Sequence, residues 1–149
     1  MSEWLIERLE EMKRSGDIGC LMSAVPYAKF LGLSADTASG DAICTMRYSD
    51  DLIGNPTLPA LHGGTLGALL ESAAIFQLLW KADTIVLPKT INITVDYLRS
   101  GRPVDTLARG IITKHGRRVV NVRAEAWQED PARPIAIANA HFLIVPSGP

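Results

Sequence analysis

The spacing of hydrophobic and polar positions changes twice along this chain. From Glu3 to about Arg14, Trp4, Leu5, Leu9 and Met12 fall on one stripe, which predicts an amphipathic outer helix. Ser2 can cap its start and Ser15-Gly16 stops it. Pro26–Leu31 can form a short helical turn before Gly32. Ser39-Gly40-Asp41 is a hairpin signal between a weak strand near Leu33–Thr37 and a better one over Ala42–Tyr48. Ser49–Leu61 reads as a loop, with Asp50-Asp51, Gly54, Asn55-Pro56 and Pro59. Thr65 to Trp80 is then apolar almost all round, as a buried helix is.

After that helix the period becomes two. Ile91, Ile93, Val95 and Tyr97 alternate with Asn92, Thr94 and Asp96, and Ser100-Gly101-Arg102-Pro103 ends the strand. Val104–Lys114 is another long strand, turned by His115-Gly116-Arg117 into Val119–Gln128. There Val120, Val122, Ala124 and Ala126 oppose Asn121, Arg123 and Glu125. Asp130-Pro131 turns the chain into a last strand, Pro134–Val145. The order is one helix, two strands, a buried helix and four strands. It predicts an α+β architecture, with an antiparallel sheet of about six strands wrapped around one apolar helix. One sheet does not cover a helix that is apolar on every side, so the pattern favours an oligomer.

Length and charge narrow the picture further. At 149 residues the chain is most simply one domain, 1–149, with 1–24 an N-terminal helix and connector packed upon it. A chain of this size buries about 68–70% of its unfolded surface. Fifteen basic residues against 16 acidic ones leave a net charge of −1, so there is no global field for nucleic acid or an anionic membrane. Cys20 and Cys44 have no metal or redox spacing and are expected as reduced thiols. The N-terminus lacks the basic and apolar regions of a signal peptide. Thr65–Trp80, interrupted by Glu71 and Gln77, is too short for a membrane span. A cytoplasmic protein is the expectation.

The richest chemistry lies in Asn55–Trp80. His62-Gly63-Gly64 opens the helix, and a glycine helix start offers bare backbone N–H groups and a positive dipole end, suited to an oxyanion. Glu71 is the one acid in the run, among Leu69, Leu70, Ala73, Ala74 and Phe76. A carboxyl in such surroundings is costly to bury unless something holds or uses it. The two features together suggest acyl transfer to water. Gly63 and Glu71 are eight residues apart, about 12 Å along one helix. A Glu side chain cannot span that gap to a carbonyl held at Gly63. Antiparallel helices from a twofold dimer can close it, because Glu71 of one copy then lies beside Gly63 of the other.

His-Gly-Gly, Leu69 seven residues after the His and an acid nine residues after it resemble the signature of PaaI-like thioesterases of the hotdog superfamily. Thr90–Leu98 is similar to the family's strand after the helix, Gly116-Arg117 to its hairpin turn and Ile135–Val145 to its closing strand. The resemblance covers roughly Val25 to Val145. It implies the hotdog fold, acyl-CoA as substrate and active sites shared across a homodimer, with a dimer of dimers as the expected assembly.

It also implies residue roles. Glu71 is a general base or a nucleophile forming a transient anhydride, and the alternative is a buried acid held by a core hydrogen bond. Gly63 N–H binds the thioester oxygen with Gly64 beside it, or the pair only packs a tight turn. His62 is an orienting His that hydrogen-bonds the loop, and the alternative is a catalytic base. Asn55 resembles a residue that holds water or substrate, although it stands seven residues before His62 where six is usual, and a plain turn residue is the alternative. Thr90 sits where relatives carry a hydroxyl near the attacking water, or is an ordinary β-branched strand residue. Arg99, Arg102, Lys114, Arg117 and Arg118 are either solvated strand ends or contacts for coenzyme A phosphates. The usual family Pro after the first of these strands is replaced by Ser100-Gly101. Trp80, Phe76 and Leu79 are candidate pocket walls for an aryl or a medium-chain group.

No metal site is expected, because His62, His115 and His141 are widely separated without a nearby Cys partner, and no cofactor is expected. Two other classes compete with the hydrolase. An acyl-thioester hydratase or dehydratase needs a His base poised against the acid. A non-catalytic acyl-CoA-binding module is the third.

Overall fold

Alternation and small residues build a sheet that one helix can approach closely. In the computed structural model, which describes residues 3–146, strands β1 (Leu33–Asp36), β2 (Ile43–Met46), β5 (Val86–Tyr97), β6 (Thr106–His115), β7 (Val119–Trp127) and β8 (Ala136–Pro146) form one sheet. Its order is β1-β2-β6-β7-β8-β5, and every pairing is antiparallel. Helix α4 (Gly63–Lys81) lies against it, and α1 (Glu3–Ser15), α2 (Gly19–Met22) and α3 (Pro26–Phe30) precede the sheet. This is the hotdog arrangement that the resemblance implies. Ser2, the expected cap of α1, lies outside the described residues.

Alanines let the helix in. Ala108, Ala124, Ala126, Ala136 and Ala138 are all buried in the core with Leu66, Leu69, Leu70, Ala73 and Phe76 of α4. Gly110 marks a close approach, since a Cβ there would lie 3.0 Å from Ala74 Cα and 3.1 Å from the Ala73 carbonyl. Dense interiors tolerate no such overlap, so this position takes no larger side chain without a shift of α4.

Several boundaries differ from the sequence reading. The loop expected over Ser49–Leu61 holds a 3-10 turn, Asp50–Leu52, and a small ribbon of β3 (Ile53–Asn55) and β4 (Ala60–Leu61). The short helix α2 differs from the sequence reading, and the Asp17 carboxylate holds its start by accepting from Gly19 N–H at 2.8 Å. β5 begins at Val86, earlier than expected, and takes Pro88 into its length. Its place at the sheet edge explains this, because the missing N–H then costs no ladder bond. The clean alternation expected for Ile91–Tyr97 also fails at its start. The ladder to β8 shifts between Thr90 and Asn92, and Ile91 is 54% exposed.

Candidate active site

The turn before α4 is built to hold His62 in one place. Gly54 of β3 lies beneath it, where a Cβ would sit 2.7 Å from His62 Cα. The His62 N–H donates to the Leu52 carbonyl at 2.8 Å. His62 is extended (φ −64°, ψ 131°), and its Nδ1 accepts from Gly64 N–H at 2.9 Å, which makes it the N-cap of α4. Its carbonyl accepts from Thr65 N–H at 3.0 Å. Gly64 N–H is therefore spoken for by the cap. Gly63 N–H has no partner among the described residues, and it stands at the positive end of a 19-residue helix.

Tyr97, at the far end of β5, closes over this glycine. Its hydroxyl donates to the Gly63 carbonyl at 2.7 Å. A Cβ on Gly63 would stand 3.2 Å from the phenol ring, and one on Gly67 would stand 3.6 Å from the hydroxyl. The sequence reading treated Tyr97 only as a strand residue. The signal that could have singled it out is the glycine pair at i and i+4, which leaves room for an aromatic ring.

Glu71 occupies the next step of the same stripe, after Gly63 and Gly67 at four-residue spacing. It is half-buried, on a different side of α4 from Leu69, Leu70 and Ala73, which lie in the core with the alanines of the sheet. Thr90 Oγ1 donates to Glu71 Oε1 at 2.6 Å, while Oε2 has no protein donor among the described residues. The bulge in β5 makes this contact possible. Strict alternation puts residue 90 on the same face as Asn92, Thr94 and Asp96, away from α4. One extra residue at Ile91 reverses the parity and turns Thr90 to the helix.

Other candidates stand apart. Asn55 Oδ1 accepts from the N–H groups of Thr57 (2.9 Å) and Leu58 (3.4 Å), so its amide oxygen is used in a turn. Arg99 lies with Gly63, Leu66 and Tyr97 around one shallow cleft, its Nε donating to the Pro134 carbonyl at 3.3 Å. Arg102 is paired with Glu129 at 2.5 Å. Lys114, Arg117 and Arg118 are exposed at the β6–β7 turn. Rungs of the sheet run Tyr97–Ala136–Ala126 near the first group and Thr90–Phe142–Val120 near the second. The two arginine groups therefore sit about 20 Å apart along the strands. One lies at the Gly63 end of the sheet and the other at the Glu71 end.

A cavity of about 340 Å³ opens beside Glu71 and Ser72 and runs under α1–α3. Phe76 and Leu79 line it, but Trp80 does not. Trp80 Nε1 donates to the Gly40 carbonyl at 3.0 Å. Among the described residues no three His, Cys, Asp or Glu gather as metal ligands. Burial pushes the Cys44 thiol up to about 12, so it stays protonated in the core.

The family model of the thioesterase superfamily matches residues 58–135, a stretch that includes the capped turn, α4 and most of the long strands. The medium/long-chain acyl-CoA thioesterase YigI of Salmonella typhimurium is 27% identical over 135 residues, covering 80% of this chain and 86% of that protein. Its Escherichia coli K12 counterpart is 26% identical over 134 residues, with the same coverage. A crystal structure of a protein from Chromobacterium violaceum superposes with a TM-score of 0.76 at 35% identity, covering 95% of this chain and 99% of the other. A phenylacetic acid degradation-related protein from Ralstonia eutropha shares the fold, with a TM-score of 0.71 at 23% identity over 85% and 98% of the two chains. With this match falling on the helix that carries Gly63 and Glu71, the chain belongs to the thioesterase superfamily.

Proposed function

We propose that the protein hydrolyses acyl-CoA thioesters to the free acid and coenzyme A, at sites shared between two copies of the chain. The observation that carries this reading is the division of labour along α4. A free N–H at Gly63 and a carboxylate held by Thr90 share one stripe, yet lie about 12 Å apart. The edge strand β5 runs beside that stripe and pairs on one side only, with β8. A twelve-residue open edge invites pairing, and a second copy related by a twofold axis brings its Gly63 to this chain's Glu71. The same operation brings the partner's copy of the Arg99 and Arg102 group toward this chain's Arg117 and Arg118, a setting suited to coenzyme A phosphates.

In the reaction, Gly63 N–H of one copy takes the developing oxyanion of the thioester carbonyl. Glu71 of the other either draws a proton from the attacking water or attacks the carbonyl itself. Thr90 fixes Oε1 and leaves Oε2 for that work. The tetrahedral intermediate collapses and expels the coenzyme A thiolate, which recovers a proton as the free thiol; where Glu71 is the nucleophile, water then cleaves the acyl–Glu71 anhydride, releasing the acid and restoring the carboxylate. His62 is a cap, engaged with Gly64 N–H rather than set against Glu71, which favours hydrolysis over a hydratase needing a His base. The acyl-CoA thioesterase relatives support the substrate class.

Glu71→Gln keeps the shape and removes the proton acceptor. With a panel of acyl-CoAs and detection of free thiol, it is expected to lose about 100- to 10,000-fold in turnover with an unchanged melting temperature. Equal turnover in variant and wild type refutes this role for Glu71.

A further inference from the structure

The cavity beside Glu71 has a length as well as a volume. Ala68, Glu71, Ser72, Ile75, Phe76 and Leu79 line it, which is one face of α4 over three turns. From Glu71 to Leu79 that face extends about 12 Å at the helical rise. Apart from Glu71 and Ser72 at one end, these walls are apolar. The opposite wall is not part of the sheet. It comes from Leu5 of α1, Leu21 of α2, and Val25, Tyr27 and Ala28 around α3, with Leu87 and Pro88 of β5 closing the side. The N-terminal helices thus form a cover over a trench that starts at the candidate carboxylate.

We propose that this trench receives a straight acyl chain of about 8 to 12 carbons, and that the N-terminal cover sets that length. The inference rests on the acyl-CoA thioesterase reading of the same site. The length of the trench sets the size of its occupant. An extended chain advances roughly 1.3 Å per carbon for single bonds of 1.5 Å, so 12 Å takes about nine carbons. The volume of about 340 Å³ is in the range of cavities that hold a small ligand. A single aromatic ring is about half as long as the trench and leaves its far end empty, which is why a linear chain is the better occupant. The trench belongs to the copy that supplies Glu71, whereas the oxyanion donor comes from the other copy.

The test combines turnover with binding. Free thiol release is followed for straight-chain acyl-CoAs from two to sixteen carbons and for phenylacetyl-CoA. Binding of S-decyl-CoA, a thioether that cannot be hydrolysed, is followed by calorimetry. The wild type is expected to gain about fourfold in kcat/KM per methylene up to about ten carbons and to fall beyond twelve. Val25→Phe, which narrows the trench, is expected to lose at least 30-fold on decanoyl-CoA and on S-decyl-CoA binding, with butanoyl-CoA changed less than threefold. Leu79→Ala, which lengthens the trench, is expected to move the optimum two or more carbons upward, and melting temperatures identify any variant that fails to fold.

A chain-length profile that is flat, or a Val25→Phe loss equal on butanoyl- and decanoyl-CoA, overturns the trench while leaving hydrolysis intact. Tight S-decyl-CoA binding that Val25→Phe abolishes, with no thiol released from any substrate, supports the trench and overturns hydrolysis. Neither binding nor turnover overturns both.

Discussion

The two halves of α4 treat their polar groups differently. At the C-terminal end each one is answered inside the chain. Gln77, buried in the core, accepts from Ala42 N–H and donates to Asp41 Oδ1, both at 2.8 Å. Lys81 pairs with Asp41 at 3.0 Å. Lys13, reaching over from α1, donates to the Leu79 carbonyl at 2.9 Å and also to the Ala82 carbonyl, satisfying a helix end that otherwise lacks partners. At the N-terminal end Gly63 N–H and Glu71 Oε2 have no protein partner among the described residues. One end fixes the β1–β2 hairpin and α1 to the helix. The other fixes no neighbouring element through those two groups. The difference points to the site more directly than burial does, because Glu71 is less buried than Gln77 on the same helix.

The largest expected effect lies at the open end. Gly63→Val places branched carbons against the Tyr97 ring, where even a bare Cβ is already 3.2 Å away, and blocks a carbonyl approaching the N–H. Loss of such a donor typically costs about 100- to 1,000-fold in turnover. The sharper form of the experiment mixes Gly63→Val with Glu71→Gln under conditions of subunit exchange. Each heterodimer then has one site with both lesions and one with neither. About a quarter of wild-type activity is expected to return from random mixing. Verified exchange that restores nothing, while each variant still dimerises, assigns both groups to sites within one chain.

The closed end is expected to respond in stability alone. Gln77→Leu leaves Ala42 N–H buried without an acceptor and removes one partner of Asp41, a loss of about 1–3 kcal/mol. Chemical denaturation measures it. kcat per folded molecule is expected to stay within twofold, and a large fall in kcat at unchanged stability breaks the contrast between the ends. His62→Ala is the matching change at the open end, where loss of the cap to Gly64 costs about 1 kcal/mol. Unlike Gln77→Leu, it is expected to lower activity as well, because Gly63 loses its fixed position.

Much of this fold was legible in the sequence, because its signals are periodic. Period two over Val119–Gln128 and the apolar run after Gly64 place the sheet and the central helix without tertiary information. What escaped was set by tertiary contact. The shift at Ile91 has no local signature, yet it decides that Thr90 meets Glu71 instead of facing away from the helix. The exposure of Glu71 has no sequence signal, because a helix that is apolar nearly all round does not reveal which side the sheet covers. In the sequence Gln77 only interrupts the apolar run, yet its amide answers a hairpin 35 residues away. The Asn55 amide oxygen takes the N–H groups of Thr57 and Leu58, a local turn bond that the sequence already allows.

The smallest expected effect tests how the closed end depends on charge. The hydrogen bond from Lys81, then that from Gln77, hold the Asp41 carboxyl below its ordinary value of 3.8. A carboxyl depressed in the folded state adds stability above its unfolded pKa and loses it as pH falls through the lower folded value. The contribution is therefore complete above about pH 4 and fades below it. About half of the Asp41 side chain is exposed, so solvent screens the pair and limits it to less than about 1 kcal/mol. Asp41→Asn retains an oxygen for Gln77 but not the charge for Lys81. In urea titrations from pH 2 to pH 7, the wild type is expected to exceed the variant by a few tenths of a kcal/mol at neutrality, and the gap is expected to close below about pH 4. A gap that persists unchanged to pH 2 assigns the role of Asp41 to hydrogen bonding alone. A gap that widens toward acid reverses the sign of the linkage.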